Sequence, residues 1–169
     1  MTADEIKQYL EELNDELRAI DVKGEVCLYG GAVMCIAFNA RPATKDVDAV
    51  FEPVRQIRKA AGIIADRHGL NKDWLNYAVK MFLVPHDKRI LLDLSHLKVF
   101  VPESDYLLAM KVIAARTDTS DLEDIQFLIV QLKLQSPVQV LEIIEQYYPH
   151  RQIKPETKFQ LEALFDQNK

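Results

Sequence analysis

Of 169 residues only two are cysteine, five glycine and one tryptophan. Cys27 and Cys35 lack the CxxC spacing of a redox pair. Set among apolar neighbours, they read as reduced, buried thiols. His68, His86, His96 and His150 show no zinc-ligand spacing. No run of about eighteen apolar residues occurs, so no segment reads as membrane-spanning. The N-terminus is acidic and amphipathic, the opposite of a secretory signal, which makes the cytoplasm the expected location. Positive charge is not in excess either: the formal net charge is −5. Residues 1–20 hold two basic and six acidic residues, leaving 19 basic and 20 acidic in the remainder. That balance excludes the broad basic surface of a constitutive duplex binder. Lys45, Arg55, Arg58 and Lys59 still form a local basic rim, suited to a small nucleotide or one RNA end.

Apolar residues make up 49% of the chain, enough for a core that needs neither disulfides nor structural metal. Ile6, Leu10, Leu13, Leu17 and Ile20 recur at three- and four-residue steps and predict an amphipathic helix over 3–20. A strand at 25–29, a glycine turn, a helix near 32–38, a loop through Pro42 and a strand at 45–52 follow. A helix over 54–68 should end at Gly69, the residue type that C-caps prefer. Segments 78–84 and 89–94 read as a hairpin about Pro85-His86-Asp87-Lys88, with a third extended piece at 98–101. Beyond that the pattern is helical. A nearly all-apolar helix spans 104–116, and a Ser120–Glu123 capping box opens another to about 135. Ser136 and Pro137 start a helix to about 147, and Pro155 starts a last one to about Asp166. The predicted class is α+β. A core with a small mixed β-sheet occupies 1–102 together with the N-terminal helix, and a helical part packed on it occupies 103–169.

With glycine so scarce, the pair in Leu28-Tyr29-Gly30-Gly31-Ala32-Val33 stands out. Adjacent glycines reach backbone angles closed to other residues and let a phosphate approach the main chain. A helix starting there would aim unbonded N–H groups at that phosphate. Fourteen residues separate Gly31 from Asp46-Val47-Asp48-Ala49-Val50-Phe51. On a strand Asp46 and Asp48 share one face and Val47 takes the other. Paired carboxylates repel unless a cation lies between them, and Asp is depleted in strands, so a metal-binding use for the pair is expected.

This order, Gly-Gly, a helix, then Asp-x-Asp on a strand, resembles the DNA polymerase beta-like nucleotidyltransferase superfamily. The closer resemblance is to its minimal bacterial members related to abortive-infection toxins. Arg41-Pro42-Ala43-Thr44, just before the acids, is similar to that group's Arg-x-x-Thr. The stretch from Asp105 through Lys111 to Arg116, followed by Asp121 and Asp124, is similar to its Lys-containing helix. The similarity spans roughly residues 26–130. It implies a nucleotidyltransferase-fold core that transfers a nucleoside monophosphate from an NTP to a hydroxyl of an RNA (tRNA) or protein acceptor, releasing pyrophosphate. It implies two Mg²⁺ ions, with Mn²⁺ as a substitute, and Asp46, Asp48 and a third carboxylate as catalytic metal ligands.

Asp93 is the candidate for that third ligand, because Ile90-Leu91-Leu92-Asp93-Leu94 is apolar except for it and a buried acid needs a partner. A structural hydrogen bond near Ser95 is its alternative role. Gly30, Gly31, Arg41 and Thr44 are the nucleotide-binding candidates, Arg41 and Thr44 either contacting phosphate or holding the acid-bearing strand. Lys111 is either a catalytic cation contacting phosphate or Asp, or a lysine snorkelling from a helix edge. Arg116, Asp121 and Asp124 read as a helix-terminus charge cluster, and Trp74 as core. A cognate toxin–antitoxin partner is a further implication. The competing expectation is a non-catalytic nucleotide-sensing or partner-binding module on the same fold.

Overall fold

The computed structural model describes residues 1–114 and 119–167, and side chains at 119, 120 and 167 fall outside that description. Arg116 and the Ser120 half of the expected capping box therefore lie outside the described residues. The protein is α+β, with a small mixed five-stranded sheet and helices. It divides into two compact units, Met1–Leu83 with Asp87–Pro102, and Val84–His86 with Glu103–Lys169.

In the first unit, helix α1 (Ala3–Ala19) opens on a capping box: Thr2 Oγ1 accepts the Glu5 N–H and Glu5 Oε1 accepts the Thr2 N–H, both at 3.2 Å. Its Ile6, Leu10, Leu13 and Leu17 are completely buried, whereas Ile20, past the last turn, is exposed. Strand β1 (Gly24–Tyr29), helix α2 (Gly30–Ile36), strand β2 (Val47–Glu52) and helix α3 (Val54–His68) follow. Gly69 ends α3 in the left-handed conformation, φ 66°. Strands β3 (Leu75–Asn76), β4 (Lys88–Asp93) and β5 (Leu97–Pro102) complete a sheet of order β3-β2-β1-β5-β4. β1 runs antiparallel to β2 and parallel to β5, β3 is parallel to β2, and β4 antiparallel to β5.

The expected hairpin of 78–84 with 89–94 does not form. Ala78–Phe82 is a 3₁₀ helix, and β4 pairs with β5 instead, across a turn closed by the Leu94 N–H on the Leu97 carbonyl (2.9 Å). Asn76 is the local cause: its Oδ1 accepts the Ala78 N–H at 2.8 Å, turning the chain out of the extended state. One sheet face is covered by α1 and α3. Val26, Leu28, Val47, Ala49, Val99 and Val101 are buried on it. Trp74 is core as expected, its indole N–H donating to the Ala61 carbonyl of α3 at 2.9 Å.

The second unit packs α4 (Ser104–Ile113) against α5 (Thr119–Gln131) and α6 (Pro137–Tyr147), with α7 (Pro155–Gln167) on α6. Leu107, Leu108, Val112, Leu128, Val140, Ile144 and Leu161 fill its core. Tyr106 holds residues 84–86 to this unit. Its hydroxyl accepts the Val84 N–H at 3.2 Å and shares a 2.9 Å hydrogen bond with the Tyr148 hydroxyl, and the His86 ring stacks on it at 3.8 Å. The sequence boundary at 102/103 left these three residues in the core. Among the described residues, no helix is long and apolar enough to cross a membrane.

Candidate functional site

Tyr29, the last residue of β1, stands opposite Asp48 of β2, so the chain leaves β1 into Gly30 directly beside that carboxylate. Gly30 has φ +63°, which costs any L-residue. A Cβ there would lie 2.9 Å from Asp48 Oδ2. A Cβ on Gly31 would lie 2.6 Å from Arg41 Nη1 and 2.7 Å from Thr44 Oγ1. Two side chains from the loop and one from β2 thus close over two successive backbone positions that only glycine leaves open. Tyr29, at the N-cap of α2, makes no side-chain cap hydrogen bond to the helix.

The loop that carries Arg41 and Thr44 is tied down at both ends. The Ala40 N–H donates to the Met34 carbonyl (2.8 Å) and the Thr44 N–H to the Met1 carbonyl (2.9 Å), and Ala43 bridges to Thr2. Thr44 Oγ1 donates to the Asp46 carbonyl at 3.2 Å, and the Val47 N–H to the Trp74 carbonyl at 2.8 Å. Strand pairing begins at Val47 rather than 45, so Asp46 stands just ahead of the strand, exposed, while Asp48 within it is partly buried.

Asp93 does not join them, and its expected place in the metal set is corrected. It ends β4, in the cross-strand row Asp93–Lys98–Glu25–Glu52. Four residues along the strand (~13 Å) and three strand spacings (~14 Å) put it roughly 20 Å from Asp48. Nor is it buried. β4 is an edge strand with a register shift between Ile90 and Leu92, and Ile90 is itself half exposed, so the apolar run around Asp93 never became interior. Ser95 hydrogen-bonds Asn14 and His96.

Of the two contacts expected of Lys111 as a cation, phosphate or Asp, the structure shows the one to Asp. It is buried in the helical unit, its Nζ 2.6 Å from Asp124 Oδ2 and 3.5 Å from Asp121 Oδ1, both on α5. The two aspartates read as a helix-terminus cluster are therefore its counter-charges. Its alternative as a snorkelling lysine is also displaced, because Nζ is turned inward.

Asn76, opposite Asp48 on β3, was not anticipated, since a two-residue strand leaves no periodicity to read. Burial pushes the Cys27 thiol up, against smaller lowering effects from Tyr29 and Lys88, so at neutral pH it stays protonated and unreactive. Among the described residues, no group of three or more His, Cys, Asp or Glu side chains is arranged to hold a metal ion. One divalent ion requires less: Mg²⁺ is commonly held by one or two carboxylates plus substrate phosphates. A second ion relying on Asp93 does not fit. Compared with known proteins, the chain matches no family model, no curated protein and no solved structure.

Proposed function

We propose that the chain is a nucleotidyltransferase, moving a nucleoside monophosphate from an NTP to an acceptor hydroxyl. The carrying observation is the closure of Asp48, Arg41 and Thr44 over Gly30 and Gly31, joined to the motif order that resembles the superfamily. With Arg41 and Thr44 swung off Gly31, whose Cβ position they now fill, the main chain at the two glycines would meet the triphosphate, and the guanidinium and hydroxyl would contact its oxygens. Asp46 and Asp48 would hold one Mg²⁺, which supplies charge neutralisation on the phosphates when bound. The acceptor oxygen forms the new bond to the α-phosphorus, the bond to the β-bridging oxygen breaks, and pyrophosphate leaves. The hydroxyl proton is released to solvent, because the two carboxylates are engaged with the ion. Positioning and charge stabilisation supply most of the acceleration in such a step.

A second reading is favoured by the remoteness of Asp93: a non-catalytic module that senses nucleotides or serves as half of a toxin–antitoxin pair. One experiment separates the two. The purified chain is incubated with each α-³²P-labelled NTP, Mg²⁺ and total cellular RNA and protein, beside Asp48→Asn. Label transferred only by the wild type supports the enzyme and names the base. NTP binding without transfer supports the module, and no binding by a folded chain refutes both.

A further inference from the structure

The sheet ends in two unequal edges. On one side β3 is only two residues long. On the other, β4 offers six residues, Lys88–Asp93, whose outward N–H and C=O groups no further strand of the sheet takes up. Lys88, Arg89, Ile90 and Asp93 are exposed along it. The register with β5 fixes which way each side chain points. Lys88, Ile90 and Asp93 stand opposite Pro102, Phe100 and Lys98, on the face away from α1 and α3. Arg89 and Leu92 stand opposite Val101 and Val99, on the helix-covered face. Five positions apart, Lys88 and Asp93 would fall on opposite faces of a regular strand. The register shift between Ile90 and Leu92 brings them to the same one. Among the described residues neither takes part in an ion pair, and the Lys88 ammonium lies 4.3 Å from the centre of the Phe100 ring.

We infer that β4 pairs antiparallel with β4 of a second copy about a twofold axis between Ile90 and Leu91, joining two five-stranded sheets into one. This pairing is independent of the nucleotidyltransferase reading. Lys88 then meets Asp93 of the second copy, Arg89 meets Leu92 and Ile90 meets Leu91, and symmetry makes each contact twice. A shift of one residue either way would set side chains of opposite faces against each other. A parallel pairing would set lysine against lysine and aspartate against aspartate. Bulges and lysines commonly guard an edge against random pairing. Here they leave open the register in which the lysine meets an acid. A strand from another protein would have to bring that charge pattern with it, whereas β4 carries its own complement. A six-residue strand pair is smaller than a standard interface of about 1,600 Å², so the dimer exchanges with monomer.

The test is sedimentation velocity of the full chain from low to high micromolar concentration, with circular dichroism to check folding of each variant. The wild type should pass from monomer to dimer across that range. Lys88→Glu and Asp93→Lys should each weaken self-association at least ~5-fold, because each turns two attractions into two repulsions. Mixed in equal amounts, the two variants should dimerise with each other as tightly as wild type, since every new charge then faces its opposite. Lys88→Glu/Asp93→Lys should self-associate as wild type for the same reason. A wild type that stays monomeric leaves the edge to a strand of another protein and overturns the pairing. Single variants that dimerise like wild type, or a mixture that stays monomeric, overturn it equally.

Discussion

Replacing Gly30 by alanine probes the centre of the site, because the two costs of that change are separable. The first is conformational: at φ +63° an L-residue costs roughly 1–2 kcal/mol relative to glycine. For a chain of this size each kcal/mol moves the melting temperature by about 2–4 °C, so Gly30→Ala should melt ~2–8 °C lower. The second cost is positional. The new methyl would stand 2.9 Å from Asp48 Oδ2, the tip of a flexible side chain. That tip can swing aside at little cost in stability, but it then leaves the place where a nucleotide would meet it. Gly62→Ala is the internal control: it sits mid-helix in α3 with nothing within 4 Å of an added Cβ. It should gain ~0.5–1 kcal/mol, raise the melting temperature and leave NTP binding alone. Scanning calorimetry reads the first cost and equilibrium dialysis with labelled NTP the second. An unchanged melting temperature in Gly30→Ala would refute the left-handed turn. A lower melting temperature with NTP affinity intact would show that the nucleotide does not depend on Asp48 where it now lies.

The helical unit offers a sharper stability test. Lys111→Met should cost ~3–5 kcal/mol in urea unfolding by removing a counter-charge 2.6 Å from the buried Asp124, and the volume-matched Lys111→Met/Asp124→Leu pair should recover most of it; equal losses in both would contradict the buried ion pair. Acid sensitivity follows from Glu12, whose carboxyl burial pushes up but whose bonds to Arg67 and His68 pull net below its ordinary 4.5. Because the folded value is the lower one, this stabilisation is fully present above pH 4.5 and is lost as pH falls through the folded value. Arg67→Gln should flatten that acid limb in urea titrations at pH 3–6, and an unaltered limb would show that the α1–α3 clasp does not carry it.

Much of the fold could be read along the chain, because its signals are local. The Ile6-Leu10-Leu13-Leu17 stripe, the αL stop at Gly69 and the Pro137 start each depend on residues within one or two turns. The hairpin about Pro85 was misread because β4 chooses its partner by a distant register, and because the Asn76 side chain diverts the next residues into a 3₁₀ turn. The candidate site divides in the same way. Gly30, Gly31, Arg41, Thr44 and Asp48 lie on consecutive elements, so a β1–α2–β2 unit brings them together with little freedom. Asp93 was assigned from residue type and apolar setting, and Lys111 from these and the resemblance of its helix; such signals specify that a charge needs company but not whose.

The sequence alone determined the α+β class, the helical stretches and the pairing of a glycine turn with an acid-bearing strand, since each follows from periodicity, backbone sterics and short chain separation. Only the tertiary structure decided which charges meet. Strand order and register carry Asp93 to the far corner of the sheet, helix packing gives Lys111 to Asp124, and the edge position of β3 sets Tyr77 beside Arg58 and Lys80. Those are pairings between residues whose separation in space is fixed by long-range contacts, and no local pattern encodes it.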